Sequence, residues 1–170
     1  MEQGYQIDID DLRKVHSFDF PTVDETTFQN RLWPEKHQMA GEPITLRDYQ
    51  IEIVNKFLNT PHCLQEIATG AGKTLITAAL SERVEQYGRS IVIVPNKDLV
   101  RQTADDYANL GLDVGVYFGD KKQIGHTHTI CTWQSLNSIR KRFRDGLDEL
   151  SLHEFTENVT CVIVDEVHQA

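Results

Sequence analysis

The chain has 170 residues, of which 39% are hydrophobic and 25% are charged, and its formal net charge is −9. This length and composition are typical of one soluble globular domain with a sizeable core. No apolar run approaches the roughly 18–20 residues that cross a bilayer, and the acidic start "MEQGYQIDIDDL" lacks the layout of a secretion signal. We therefore expect no membrane association and a cytoplasmic location. The negative charge also weighs against a nucleic-acid partner, whose phosphates usually need a basic surface.

The cysteines support the same location. Cys63, Cys131 and Cys161 lie far apart, among apolar residues, and without the spacing of a metal or redox motif. We expect all three to be buried, reduced thiols.

The first 40 residues differ from the remainder of the chain. Short mixed segments rich in acidic residues are interrupted there by Pro21 and Pro34. We interpret residues 1–40 as an N-terminal arm or accessory segment with one helix at 24–32, followed by a linker at 39–43.

From residue 45 onward, helical and strand patterns alternate. The first helix is predicted to begin with Thr45 and Asp48 at capping-box spacing and to stop before Pro61. Further helices are predicted at 73–88, 96–111, 134–143 and 145–155, and strands at 63–68, 90–95, 114–118, 127–133 and 159–166. The continuous apolar runs indicate strands that are buried on both faces. The alternation predicts an α/β fold, a parallel sheet flanked by helices.

The stretch "EIATGAGKTL" at 66–75 has the composition of a phosphate-binding loop. Gly70 and Gly72 allow successive backbone N–H groups to turn toward an anion, and the helix that follows favours negative charge at its N-terminus. Lys73 would reach the outer phosphates, and the hydroxyl of Thr74 would hold Mg²⁺. Ile67 stands where the usual pattern has its first glycine, but the core G-A-G-K-T is intact. The sequence therefore predicts a nucleotide site.

A pair of acids supplies the second half of such a site. Asp165 and Glu166 end the apolar strand "CVIVDE", at the carboxyl edge where open α/β sheets bind their ligands. We expect Asp165 to bind Mg²⁺ and Glu166 to orient and deprotonate the attacking water, because phosphoryl transfer requires mostly positioning and charge neutralisation.

These motifs resemble those of superfamily 2 helicases of the DExH type. "ATGAGKT" (68–74) is similar to motif I, "VDEVH" (164–168) to motif II, "VPNKDLVRQ" (94–102) to motif Ia and "TWQSL" (132–136) to motif Ib, and "LRDYQ" (46–50) resembles the family's upstream adenine motif. Order and spacing agree across 45–168, and the combination is most like the phage recombination helicases of the UvsW type. We interpret 45–170 as the first RecA-like domain, incomplete at its C-terminus, with motif III and the second RecA-like domain outside the chain. Residues 1–40 match no part of the family.

The resemblance implies a role for each matching residue. For ATP, it implies that Gln50 reads the adenine with Arg47 or Tyr49 nearby, that His168 couples the nucleotide to domain motion, and that the phosphates and Mg²⁺ are held by Thr69, Gly70, Ala71, Gly72, Lys73 and Thr74. Thr74 and Asp165 would bind the metal, and Lys73, Asp165 and Glu166 would be catalytic. For DNA, it implies that Thr132, Trp133 and Gln134 lie along the strand. Such tracks contact the backbone through main-chain N–H groups and hydroxyls, which need little net charge.

One basic cluster follows the segment that resembles motif Ib. It comprises Arg140, Lys141, Arg142 and Arg144. These side chains could grip DNA phosphates, or they could simply form a solvated helix face.

The resulting hypothesis is an ATP- and Mg²⁺-dependent DNA helicase or translocase domain, acting on branched or single-stranded DNA in recombination or repair. A P-loop phosphotransferase and a non-catalytic ATP- or DNA-binding module are the alternatives. For this chain by itself we expect an exposed sheet edge and negligible ATP turnover, because related motors complete the γ-phosphate site with arginines of the second domain.

Overall fold

The computed structural model describes residues 19–60 and 62–166. Its helices and strands follow one another as α1 (Asp48–Asn59), α2 (Lys73–Val84), β1 (Arg89–Val94), α3 (Lys97–Asn109), β2 (Val114–Phe118), β3 (Lys121–Lys122), β4 (His128–Thr132), α4 (Trp133–Arg144), α5 (Leu152–Phe155) and β5 (Val159–Val164). A single 3₁₀ turn, Glu85–Tyr87, follows α2. No helix within the described ranges is long and apolar enough to cross a membrane.

The strands form one five-stranded sheet in the order β3-β2-β4-β1-β5. Strand β1 pairs in parallel with β4 and β5, and β4 pairs in parallel with β2, while the short β3 runs antiparallel to β2. The carboxyl ends of β2, β4, β1 and β5 therefore meet at one edge of the sheet. The predicted α/β class, a largely parallel sheet flanked by helices, is confirmed.

Helices cover both faces of the sheet because alternate residues of each strand point to opposite sides. Val92 and Val94 of β1 pack into a large core with α1, α2 and α3. Ile91 and Ile93 of the same strand pack into a smaller core with α4 and α5. Strand β5 is the outermost strand of the described sheet, and its Val162 and Val164 are 58% and 40% exposed.

Several predicted elements differ from the observed ones. Residues 63–68 form no strand in the described sheet, and Leu64 is 81% exposed. These residues pair with no strand of the described sheet, in which β1 lies between β4 and β5, and the Gln65 side chain donates to the Ile53 carbonyl at 3.2 Å. The predicted helix at 145–155 is reduced to the single turn α5, which a Ser151–Glu154 capping box begins. The prediction of helices and strands was therefore wrong at these two segments.

The predicted helix at 24–32 is also wrong, because turns occupy this segment. The Asp24 carboxylate accepts hydrogen bonds from the backbone N–H and the hydroxyl of Thr26, at 2.9 and 2.7 Å. Local side-chain bonds of this kind compete with helix formation. The first regular helix, α1, begins at Asp48 instead of Thr45, since the Arg47 N–H donates to Gln50 Oε1 at 2.9 Å.

The cysteines are free, as predicted, but only one is buried. Cys131 is fully enclosed, whereas Cys63 and Cys161 are partly exposed. Burial raises the pKa of the Cys131 thiol to about 12 and that of Cys161 to about 11, so both remain protonated at neutral pH.

The described part of the arm, residues 19–40, packs against α1 and α2. Phe28 is 1% exposed and belongs to the large core. The Asn55 side chain of α1 is hydrogen-bonded twice to the backbone of Val23. It accepts from the Val23 N–H at 2.8 Å and donates to the Val23 carbonyl at 2.9 Å. Arg31 forms an ion pair with Glu82 of α2. The arm therefore supports the side of α1 that faces away from solvent, while the assignment of 1–40 as a separate accessory segment stays a prediction.

A buried chain of hydrogen bonds crosses the large core. His128 Nδ1 lies 2.8 Å from Ser90 Oγ, which donates to Ser81 Oγ at 3.2 Å, and Ser81 lies 3.0 Å from the Tyr107 hydroxyl. At the outer end, His128 Nε2 lies 3.2 Å from Glu85. Burial lowers the pKa of His128 below its ordinary value, and the hydrogen bond to Glu85 opposes this shift only in part.

We predict that His128 makes the protein less stable in mild acid. Because the folded pKa lies below 6.5, the unfolded chain binds a proton at higher pH than the folded chain, so the free energy of unfolding should fall as pH decreases below that value. His128→Asn should flatten this dependence, by at most about 1.4 kcal/mol per pH unit. Urea unfolding of both proteins between about pH 7 and about pH 5 measures the slopes, and identical slopes would contradict the assignment.

Candidate functional site

The candidate site lies at the carboxyl edge of the sheet, beside the ends of β1 and β5. The phosphate-binding loop, residues 68–72, leads directly into α2, which begins at Lys73. Asp165 and Glu166 follow β5, and the Asp165 N–H donates to the Ile93 carbonyl at 2.9 Å, which extends the pairing with β1. The two halves predicted from the sequence therefore meet at one place.

An ion pair joins these halves. Lys73 Nζ lies 2.5 Å from Glu166 Oε1, and the two side chains are 25% and 26% exposed. The hydrogen bond to Glu166 raises the pKa of Lys73 most, and the charge of Asp165 contributes a smaller rise. The lysine is therefore fully charged at neutral pH and is held within electrostatic reach of both carboxylates.

The backbone of Glu166 is unusual. Its φ is +52°, in the left-handed region that L-residues other than glycine rarely occupy. The Glu166 N–H donates to the Asp165 carboxylate at 3.0 Å, which helps to hold this turn. Strained backbone of this kind is concentrated at functional sites, and here it directs the Glu166 carboxylate toward Lys73.

The loop itself turns through two glycines. Gly70 and Gly72 have φ of +81° and +75°, and the α2 N-terminus has no side-chain cap among the described residues. Uncapped N–H groups at a helix N-terminus are suited to bind an anion. Ile67, at the position of the missing glycine, is partly buried against the large core, so its side chain packs without blocking the loop.

The predicted adenine residues contact this loop directly. The Ala71 carbonyl accepts hydrogen bonds from the Tyr49 hydroxyl at 2.9 Å and from Gln50 Nε2 at 3.0 Å. Arg47 Nη1 lies 3.3 Å from the Tyr49 hydroxyl. Gln50 is only 4% exposed, and its oxygen is bonded to the Arg47 N–H. The N-terminus of α1 therefore shapes the loop, an arrangement that the sequence did not reveal, while the adenine contact stays a prediction.

The groups present fit a nucleotide phosphate with a magnesium ion. Oxygen donors of the predicted kind, the Thr74 hydroxyl and the Asp165 carboxylate, occur at the two halves of the site. No cluster of three or more His, Cys, Asp or Glu that could hold a metal by itself occurs in the described ranges. Thr69 lies in the exposed part of the loop, and His168 lies outside the described residues.

The residues predicted to contact DNA divide into two groups. Thr132 is 5% exposed, and its hydroxyl caps α4 by accepting from the Ser135 N–H at 3.3 Å. Trp133 is 49% exposed, and Gln134 is exposed as well. The structure thus leaves Trp133 and Gln134 accessible at the start of α4, whereas the Thr132 side chain is committed to the cap.

The basic cluster occupies the last turns of α4 and is exposed. Arg142 Nε lies 3.3 Å from Asp148, and Arg144 Nε lies 2.9 Å from Asp145. Asp148 also contacts Lys122 of β3, at 3.3 Å. Neither Lys122 nor Asp148 was predicted to belong to a site. Their connection is non-local, and the signal that could have revealed the surface is the absence of acidic residues from 121–144.

We predict that the two loop glycines differ in their tolerance of alanine. A Cβ on Gly70 meets nothing within 4 Å, whereas one on Gly72 would lie 2.6 Å from Gln50 Nε2. Both changes place an alanine in the left-handed region of backbone conformation, which costs about 1–2 kcal/mol. Gly72→Ala should cost about 1–3 kcal/mol more, because it displaces a buried amide from its partners.

Urea unfolding of both variants measures the difference. A second background, Gln50→Ala, removes the obstructing amide and should bring the costs of the two glycine substitutions together. Equal costs in the unmodified background would show that Gln50 does not constrain the loop.

Comparison with known proteins agrees with this architecture. Residues 43–170 match the family described as "Type III restriction enzyme, res subunit". The chain is 30% identical over 134 residues to the DNA 3'-5' helicase XPB of Kineococcus radiotolerans, a match that covers 76% of this chain and 23% of that protein. The chain thus spans about a quarter of the length of this curated relative.

Two solved structures share the fold. The UvsW helicase from Bacteriophage T4 has a TM-score of 0.62 at 22% identity, covering 76% of this chain and 45% of that one. A second structure, of T4 UvsW, has a TM-score of 0.57 at 17% identity, covering 76% and 32%. The chain therefore belongs to the family of the type III restriction enzyme res subunit, and it shares the RecA-like fold of the two UvsW structures.

Proposed function

We propose that this domain binds Mg-ATP and acts as the first half of an ATP-driven motor on DNA. The observation that carries this proposal is the contact of Lys73 with Glu166, at 2.5 Å, between residues 93 positions apart. It brings a lysine suited to phosphate binding and a carboxylate suited to act as a base to one edge of the sheet.

From the ion pair we also infer how the two halves of the site would act together. The Lys73 ammonium has three N–H donors, and a bound phosphate would compete with Glu166 for them. Glu166, with its bond to Lys73 weakened in this way, would accept a proton from the attacking water. A magnesium ion held by Thr74 and Asp165 would supply charge neutralisation on the phosphates. In this scheme the nucleotide phosphate competes with the Glu166 carboxylate for the charge of Lys73.

DNA would lie along the same edge of the sheet. Trp133 and Gln134 are accessible at the end of β4, and the four cations of α4 extend the surface away from the nucleotide. The name of one relative, a DNA 3'-5' helicase, favours DNA over RNA. We propose a branched or single-stranded DNA substrate in recombination or repair, with a second RecA-like domain completing the motor in the cytoplasm.

The nucleotide site can be tested with two substitutions of opposite effect. Lys73→Ala should weaken Mg-ATP binding by about ten- to one-hundred-fold, since it removes a charge-assisted contact to phosphate. Glu166→Gln should strengthen binding, because the competing carboxylate charge is removed. Titration of a fluorescent ATP analogue measures both affinities.

A matched control for this test is Lys56→Ala, which removes an exposed lysine of α1. Its affinity for the analogue should equal that of the unmodified chain. The proposal fails if Lys73→Ala and Lys56→Ala bind the analogue equally well.

The DNA surface can be tested by its dependence on salt. Replacing Arg140, Lys141, Arg142 and Arg144 with glutamine should weaken DNA binding and lower the slope of log K against log salt, by up to about 0.7–0.9 for each phosphate that is no longer neutralised. A control variant carries Lys36→Gln and Lys56→Gln, which are exposed outside α4. Fluorescence anisotropy across a salt series gives the slopes. An unchanged slope in the fourfold variant would identify the cluster as a solvated face.

A further inference from the structure

The charge of this chain is unevenly distributed. The sequence contains 26 acidic and 17 basic residues, yet the segment 121–144 holds six basic residues and no acidic one. This segment comprises β3, β4 and α4. In a chain with a net charge of −9, one continuous stretch therefore carries only positive charge.

A single carboxylate joins two elements of this stretch. Lys122 Nζ of β3 and Arg142 Nε of α4 both lie 3.3 Å from the same oxygen of Asp148. The hydrogen bond from the Leu150 backbone N–H lowers the pKa of Asp148 most, and the hydrogen bond from Lys122 lowers it further. The carboxylate is therefore ionised at neutral pH. One negative charge shared by two cations leaves the group with an excess of positive charge. The cations themselves are 44% and 46% exposed.

A groove of about 490 Å³ runs along α4 beside this group. It is lined by Gln134, Asn137, Ser138, Lys141, Arg142 and Leu147, with Asp145 at the end of the helix. Amides, a hydroxyl and cations are the side chains that contact phosphate and sugar oxygens. None of the lining residues is aromatic, and the exposed Trp133 and Phe143 of α4 lie outside the lining, although single strands are usually bound by stacking on aromatic rings.

We propose that Lys122, Lys141 and Arg142 form a binding surface for the phosphate backbone of a double-stranded nucleic acid, and that Asp148 competes with phosphate for Lys122 and Arg142. The proposal rests on the proposed function and extends it, because it adds β3 and an inhibitory carboxylate to a surface expected only on α4. Asp148 keeps the two cations ordered when no duplex is bound, and it limits the strength of the contact when one is.

The proposed roles of Lys122, as a phosphate contact, and of Asp148, as a competitor of phosphate, predict opposite effects when each residue is replaced. Lys122→Gln should lower the slope of log K against log salt for duplex binding by about 0.9, as expected when one phosphate fewer is neutralised. Asp148→Asn should raise the affinity about two- to fivefold at low salt, which is the range expected when a surface ion pair no longer competes. Lys122→Arg keeps the charge and should retain the slope of the unmodified chain.

The experiment uses fluorescence anisotropy of the 170-residue chain with a labelled blunt-ended duplex and with one of its strands, from about 50 to about 200 mM salt. Lys56→Gln, which removes an exposed lysine from α1 on the opposite face of the sheet, is the matched control and should change neither quantity. Thermal unfolding of each variant checks that the fold is retained.

Three results would overturn the inference while leaving the proposed function intact. They are an unchanged salt slope in Lys122→Gln, weaker binding by a fully folded Asp148→Asn, and tighter binding of the single strand than of the duplex at this surface. A failure of the unmodified chain to bind either probe would overturn the inference and the proposed DNA partner together.

Discussion

The hydrogen-bonded pairing of β5 with β1 is the constraint on which the rest of the site depends. The register that places Val164 beside Ile93 continues for one residue, because the Asp165 N–H donates to the Ile93 carbonyl. Glu166 is thereby placed at the beginning of a left-handed turn, within reach of Lys73. A shift of one residue in this register would turn the side chains of β5 to the opposite faces and displace Asp165 and Glu166 from Lys73. The chemistry of the site is therefore a consequence of backbone pairing in the sheet.

The phosphate-binding loop is also held by α1, and α1 is held in turn by the N-terminal arm. The arm buries Phe28 in the large core and is bonded through Val23 to Asn55 of α1. The first turn of α1 in turn holds the Ala71 carbonyl through Tyr49 and Gln50. Each step joins segments distant in sequence, so the loop conformation depends on packing that lies far from the phosphates. Substitutions in the arm are therefore expected to affect the nucleotide site through α1.

The sequence predicted those features whose chemistry requires particular residues at fixed spacing. Gly70, Gly72 and Lys73 lie at a loop that begins a helix, and Asp165 and Glu166 lie at the end of a buried strand, because phosphate binding allows few alternatives. The predicted cap at Thr45 was wrong, because the cap of α1 is Arg47, whose N–H donates to the Gln50 side chain. The helix predicted at 24–32 was wrong for a similar local reason.

Features that depend on tertiary contacts could not be predicted from the sequence in the same way. The segment 63–68 has the composition of a strand, but a strand exists only with a hydrogen-bonded neighbour, and this segment has none in the described sheet. The bridge from Lys122 through Asp148 to Arg142 joins three segments whose proximity no local pattern indicates. By contrast, the exposure of Trp133 follows from its position at the first turn of a helix whose inner side is formed by Ser135 and Ile139.

The two edge strands of the described sheet, β3 and β5, differ in a way that affects how copies of the chain can associate. Strand β3 has two residues, both exposed lysines, whereas β5 has six residues and presents two exposed valines. Short, charged edge strands discourage the addition of further strands, and long apolar ones permit it. A sheet with one permissive edge, as the described sheet has, can form a closed pair but cannot add a third copy in the same manner. Within the described sheet, the lysines of β3 therefore leave β5 as the edge at which a further strand could pair.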